Sequence, residues 1–188
     1  MPDRRVLGAA LIAVLSAARV VESAVAAEEP IFTDATAEAG IDFVYFNGAS
    51  GEYYFPEIGG AGGALFDYDG DGDLDLYLVQ GAMLGSGKTY ADALFLLHGP
   101  LPLSDRLYRN DREVGADGRA RLRFTDVTAA SGLTAATGYG IKTAVGDYDS
   151  DGRPDLYVTN FGPNQLWRNR GNGTFKDMTA RTSTDDPR

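Results

Sequence analysis

DYDGDGDLDLYL, from Asp67 to Leu78, places five aspartates within nine residues: Asp67, Asp69, Asp71, Asp73 and Asp75. Like charges packed this tightly repel one another by several kcal/mol in total if they are drawn out of water. The stretch nevertheless runs straight into Leu76-Tyr77-Leu78-Val79, an alternating aliphatic and aromatic segment of strand type. A compact loop at this position needs positive charge from somewhere, and Gly72 gives its backbone the freedom to turn.

The same pattern occurs a second time. GDYDSDGRPDLYVTN, Gly146 to Asn160, aligns at an offset of 80, so that Asp147, Asp149, Asp151 and Asp155 fall on Asp67, Asp69, Asp71 and Asp75, and Gly152 falls on Gly72. Other pieces recur with it. Arg106-Leu-Tyr-Arg-Asn110 resembles Gln165-Leu-Trp-Arg-Asn169, and FTDATAEAG from Phe32, FTDVTAASG from Phe124 and FKDMTA from Phe175 form a third element. The order within a unit is acidic loop, LYL-type strand, LYRN-type strand, then FTDVT strand. A unit of about 40 residues with four short antiparallel strands reads as one blade of a β-propeller. The fold expected is therefore all-β.

Period-two alternation puts Leu74, Leu76 and Leu78 on one strand face and Tyr77 and Val79 on the other; in the second unit Leu156 and Val158 take inner positions. The expected organisation is a signal peptide over 1–27, an N-terminal strand and lead-in over 28–62, a first blade over 63–133 with an insertion at 81–105, a second blade over 134–180, and a tail over 181–188. Two blades do not close a ring, so the reading is a partial propeller whose remaining blades lie outside this chain. The FTDAT copy at Phe32, with no acidic loop before it, reads as an outer strand donated to such a blade.

Calcium is the cation that suits the loops. It takes six to eight oxygen ligands at about 2.3–2.6 Å, and D-x-D-x-D-G-x-x-D can supply them in sequence. Asp67, Asp69 and Asp71 alternate inward, Asp73 offers its backbone carbonyl, and Asp75 closes the first site; Asp147, Asp149, Asp151, the carbonyl of Arg153, and Asp155 repeat this in the second. A guanidinium cannot coordinate calcium, so Arg153 shows that position seven contributes main chain alone and that the Asp73 carboxylate is a spectator. The bland alternative is a solvated acidic turn; magnesium, which keeps its waters, fits the carboxylate count less well. An EF-hand requires glutamate at position twelve, where this sequence has Leu78 and Val158. Both loops thus join strands.

Composition bounds the rest. The chain has 188 residues, 44% apolar, with 24 glycines, 10 tyrosines and 9 phenylalanines, a mixture that favours β structure. Arg4 and Arg5 precede the apolar run Val6 to Ala18, and Ala24-Val25-Ala26 offers a small-x-small cleavage site, which predicts export to a periplasmic, cell-surface or extracellular location. No transmembrane segment is expected after cleavage. Cysteine is absent and His98 is the one histidine, which removes thiol chemistry and multi-histidine metal sites. A net charge of −10 disfavours nucleic acid and anionic membranes as partners. GAMLGSGKT, Gly81 to Thr89, has one residue too many for a phosphate-binding loop.

GALFDYDGDGDLDLYLVQG and AVGDYDSDGRPDLYVTNFGPNQLWRN resemble FG-GAP repeats, also called VCBS repeats, of the integrin α-subunit type. With FTDVTAASGL and NGASGEYYFPEI, the chain is most similar to the ASPIC/UnbV and cartilage acidic protein group. The resemblance implies a seven-bladed propeller with structural calcium in the hairpin between the first two strands of a blade, and a binding role toward an extracellular protein or glycan. The rival class is a propeller-type polysaccharide lyase or hydrolase, with Glu52, Glu57 and loop aspartates as the available carboxylates.

Overall fold

The structure is a computed structural model that describes residues 31–99, 101–135 and 138–185. The expected signal peptide, residues 1–27, lies outside the described residues. No helix among the described residues is long and apolar enough to cross a membrane.

Each acidic loop joins two antiparallel strands. The first connects β1 (Gly63–Phe66) to β2 (Asp75–Leu78), with Phe66 opposite Asp75 and Gly63 opposite Leu78. β3 (Arg106–Asn110) pairs with β2. A small hairpin, β4 (Glu113–Val114) with β5 (Ala120–Arg121), then intervenes before β6 (Phe124–Asp126) completes the sheet in the order β1-β2-β3-β6. In the second sheet β7 (Gly140–Gly146), β8 (Asp155–Asn160), β9 (Gln165–Asn169) and β10 (Phe175–Asp177) follow one another directly. Two four-stranded antiparallel sheets of identical strand order are the two expected blades.

The recurring D-x-T that ends each blade has a local cause. Asp126 accepts the Thr128 amide at 2.9 Å, and the Thr128 hydroxyl in turn accepts the Leu107 amide at 3.0 Å. Asp177, Thr179 and Leu166 repeat the arrangement, at 2.9 and 3.1 Å. The motif thus starts a one-turn helix, α1 (Thr128–Ser131) or α2 (Thr179–Thr182), and supplies the hydrogen bond that the third strand lacks at its end.

The core lies between the blades. From the first come Phe66, Tyr68, Tyr77, Val79 and Leu107; from the second, Leu156, Val158, Trp167 and Phe175, with Leu133 from the connection. Leu156 and Val158 are fully buried, as their inner assignment requires. In the first blade the Tyr77 and Val79 face is the one enclosed, while Leu76 and Leu78 are half-buried and Leu74 is 53% exposed. Successive blades meet by unlike faces, so equivalent positions such as Leu76 and Leu156 end up in different surroundings.

The lead-in differs from expectation. Residues 31–62 form no strand; they contain a turn at 36–40 and a 3-10 turn at Phe55–Ile58. Each sheet takes its fourth strand from its own unit, and the FTDAT copy joins neither. Part of the lead-in instead packs on the first blade: the buried Tyr108 donates to Asp42 at 2.7 Å, Phe124 donates to the Ala39 carbonyl at 2.7 Å, and the Gln80 side chain bonds both Phe46 and Val44. Within the insertion, Thr89 caps a short 3-10 turn, Tyr90–Asp92, and Lys88 pairs with Glu52 at 3.5 Å. That is no phosphate-binding strand-loop-helix.

Candidate metal centres

In each loop the first aspartate organises the backbone. Asp67 accepts amides from Gly70, Asp71 and Gly72 at 2.8, 3.1 and 3.0 Å. Asp147 accepts those of Asp151 and Gly152 at 3.0 and 2.8 Å. Gly72 and Gly152 sit at φ +90 and +85, left-handed backbone that side chains with a Cβ rarely adopt. The sequence therefore curls the loop around its own leading carboxylate.

The curl gathers three carboxylates per loop. One oxygen each from Asp67, Asp69 and Asp71 lies within 4.8 Å of the others, and the same holds for Asp147, Asp149 and Asp151. Oxygens bound to one calcium at about 2.3–2.6 Å can be no more than about 5 Å apart, so both groups fit that ion's coordination sphere. Asp69 Oδ1 is buried with no hydrogen-bond partner, an acceptor that a cation would satisfy. Burial, followed by the charge of Asp71, raises the Asp69 carboxyl above the ordinary carboxylate value.

The ninth-position aspartates stand apart from these groups. Asp75 is fully buried and accepts the Tyr68 amide at 3.0 Å and the Asn110 amide at 2.9 Å. Asp155 accepts from Tyr148 at 3.1 Å and Asn169 at 2.7 Å. Each ties the loop's start to the blade's third strand, and each oxygen keeps a further lone pair beyond the amide it accepts. Burial pushes the Asp75 carboxyl up to about 6, against the pull of its two amide bonds, and raises Asp155 likewise.

At position seven both residues donate their amide to the third aspartate, but their side chains differ. The Asp73 amide donates to Asp71 at 2.9 Å while its carboxylate faces Arg112 at 3.6 Å, outside the cluster. Arg153 donates its amide to Asp151 at 3.1 Å, and its guanidinium pairs with Asp151 and bonds the Asn169 carbonyl at 3.3 Å.

The repeated Arg-Asn of the third strands, given no role from sequence, serves the loops unevenly: Asn110, Arg168 and Asn169 bond to them, whereas Arg109 pairs with Asp111 on its own strand. Arg168 reaches Asp149 Oδ2 at 2.6 Å, an ion pair whose N–H is not aligned on the oxygen, and Asp151 Oδ2 at 2.9 Å. Desolvation raises the Asp151 carboxyl, but the Arg168 hydrogen bond, the Arg153 amide and both guanidinium charges outweigh it and hold the group below its ordinary value. Asn169 is buried and bonds the carbonyls of Tyr68 at 2.7 Å and Pro154 at 3.2 Å. Tyr68 also stacks on Phe175, ring centres 6.2 Å apart. The first acidic loop is thereby fastened to the second blade. The recurrence of Arg-Asn at a matched strand position in both units was the available signal.

Comparison with known proteins agrees with this architecture. Residues 147–188 match the family model of the FG-GAP-like repeat. Over 84 residues, 44% of this chain, the sequence is 39% identical to cartilage acidic protein 1 of Homo sapiens, and the match covers 13% of that protein. Over 125 residues, 66% of the chain, it is 34% identical to cartilage acidic protein 1 of Mus musculus, covering 17% of it. The chain spans less than a fifth of the length of these curated relatives. Residues 147–188 thus resemble an FG-GAP-like repeat, the preceding sheet has the same four-stranded antiparallel order, and the chain is all-β and similar to cartilage acidic protein 1.

Proposed function

We propose that the chain is an exported, calcium-braced interaction module without catalytic activity of its own. The observation that carries this reading is the placement of the first acidic loop at the junction of the blades, with the Tyr68 carbonyl held by Asn169 and the Tyr68 ring stacked on Phe175. An ion held by Asp67, Asp69 and Asp71 would relieve their mutual repulsion, stiffen the Asp67-Tyr68-Asp69 backbone and so stabilise the contact between sheets. The second loop, through Asp147, Asp149 and Asp151, would do the same within its own hairpin. Calcium acts here as a structural ion.

A partner of extracellular protein or glycan type then docks on surfaces other than the acidic turns. The insertion exposes Leu94, Phe95 and Leu96 beside Ile58 around an open concavity, the kind of apolar surface that marks contact sites. The carbohydrate-active alternative draws little support. Glu57 is buried and accepts both the amide and the hydroxyl of Ser50, at 3.2 and 2.6 Å, and Glu52 is paired with Lys88.

Differential scanning calorimetry tests the calcium reading. Melting temperature should rise in calcium relative to chelator, and Asp71→Ala and Asp151→Ala should each reduce that rise. Equal melting with and without chelator would sink the proposal. Turnover of acidic or neutral polysaccharides by the purified chain would favour the enzyme reading instead.

A further inference from the structure

The two loops carry matching carboxylates but different counter-charges. In each blade the third strand ends in Arg-Asn, and the residue that follows has opposite sign: Asp111 after Arg109-Asn110, Arg170 after Arg168-Asn169. Asp111 takes Arg109 Nε at 2.6 Å and also accepts the Thr125 hydroxyl, so that guanidinium is kept on its own strand's carboxylate. In the second blade Arg170 offers no such acceptor. Arg168 turns to the loop and lies across Asp149 and Asp151, at 2.6 and 2.9 Å, while Arg153 adds a second guanidinium on Asp151. Among the described residues no ion pair reaches Asp67, Asp69 or Asp71, the Arg109 charge acting on Asp69 only from a distance, and Asp69 Oδ1 is a buried oxygen without a partner.

We infer that the two loops are unequal calcium sites: the first binds tightly, and the second binds weakly because the ion must displace Arg168. The choice between Asp111 and Arg170 beside the third-strand arginine sets whether that arginine turns to the loop, and Arg153, where the first loop has Asp73, adds to the difference. A guanidinium tethered through the β8–β9 pairing is present at a high effective concentration and competes without needing to be recruited. The inference rests on the calcium reading above and adds to it a ranking of the sites and its cause.

Isothermal titration of the whole chain with calcium chloride at fixed ionic strength tests it. The wild-type chain should show one tight and one weak uptake, at least about tenfold apart given the competition from a tethered cation. Asp69→Asn should abolish the tight event and Asp149→Asn the weak one. Arg168→Gln should tighten the weak event at least about tenfold and leave the other unchanged. Asp111→Ala, which frees Arg109 toward the first loop, should weaken the tight event, and it stands as an independent check if Arg168→Gln does not fold. Two uptakes of equal affinity, or a second uptake indifferent to Arg168→Gln, would overturn the inference while leaving calcium binding intact. No heat of uptake from the wild-type chain or from Arg168→Gln would overturn the calcium reading and the inference with it.

Discussion

Asn169 and Tyr68 lie 101 residues apart in sequence, and the Asn169 side-chain amide donates to the Tyr68 carbonyl at 2.7 Å. This bond crosses from the third strand of one blade to the acidic loop of the other. Asn169 also holds the Pro154 carbonyl at 3.2 Å and accepts the Gly171 amide at 2.8 Å, so one side chain ties together both acidic loops and the β9–β10 turn.

Asn169→Ala strands those groups in a buried site and should cost roughly 2–3 kcal/mol. Urea unfolding checks it, the midpoint falling with little change in slope. If the bond transmits the effect of the first ion, the calcium-induced rise in melting temperature should also shrink. The Asn110 side chain, which among the described residues donates to the Leu74 carbonyl alone, should tolerate alanine better.

Gly140 starts the first strand of the second blade, where its amide bonds the Gln80 carbonyl at 3.0 Å. A Cβ there would stand 1.9 Å from Val79 Cγ1, and Val79 is fully buried. Gly140→Ala is expected to destabilise the chain by about 1–3 kcal/mol through overpacking. Combining it with Val79→Ala removes the clashing methyls and leaves the Gln80 carbonyl oxygen at 3.0 Å and the Val79 Cβ at 3.4 Å. The double variant should therefore lose less than the sum of the single losses, a coupling that a double-mutant cycle measures.

Ser150 adopts φ +60 at the position where the first loop has Gly70, at φ +81. Left-handed backbone costs an L-residue about 1–2 kcal/mol, part of which glycine returns as unfolded-state entropy. Ser150→Gly should stabilise the metal-free chain by about 0.5–1 kcal/mol, read as a higher urea midpoint in chelator.

Asp105 is buried and accepts the Tyr77 hydroxyl at 2.5 Å and the Gln80 amide at 2.7 Å. Burial raises its carboxyl to about 6 despite those bonds. Between the ordinary value of 3.8 and about 6, the folded chain keeps a proton that the unfolded chain releases. Its contribution to stability is therefore complete below 3.8 and lost as pH rises through about 6, an effect of at most about 3 kcal/mol. Unfolding free energies of the wild-type chain and Asp105→Asn, measured in chelator on both sides of that window, should differ in slope, the variant lacking this part of the pH dependence.

The blades were legible in the sequence because their signals are short-range. The D-x-D-x-D-G spacing, the alternation of Leu76-Tyr77-Leu78-Val79 and the repeated FTD element all act within a few residues, and the strand order followed from them. The β4–β5 hairpin escaped because strands of two residues have no readable period. Which face of β2 would be enclosed was equally hidden. Both its faces are apolar, and the neighbouring sheet selected Tyr77 and Val79 over the leucines.

The sites divide along the same line. That Asp67 and Asp147 would draw their loops around themselves was settled by covalent spacing, since the amides they bind lie within five residues. That Asp75 and Asp155 would hold backbone amides, and that Arg168 would lie across Asp149 and Asp151 while Arg109 pairs with Asp111, was decided only when strands paired. Charges brought together across a sheet depend on register and on the competing carboxylate nearby, here Asp111 in one blade and none at Arg170 in the other.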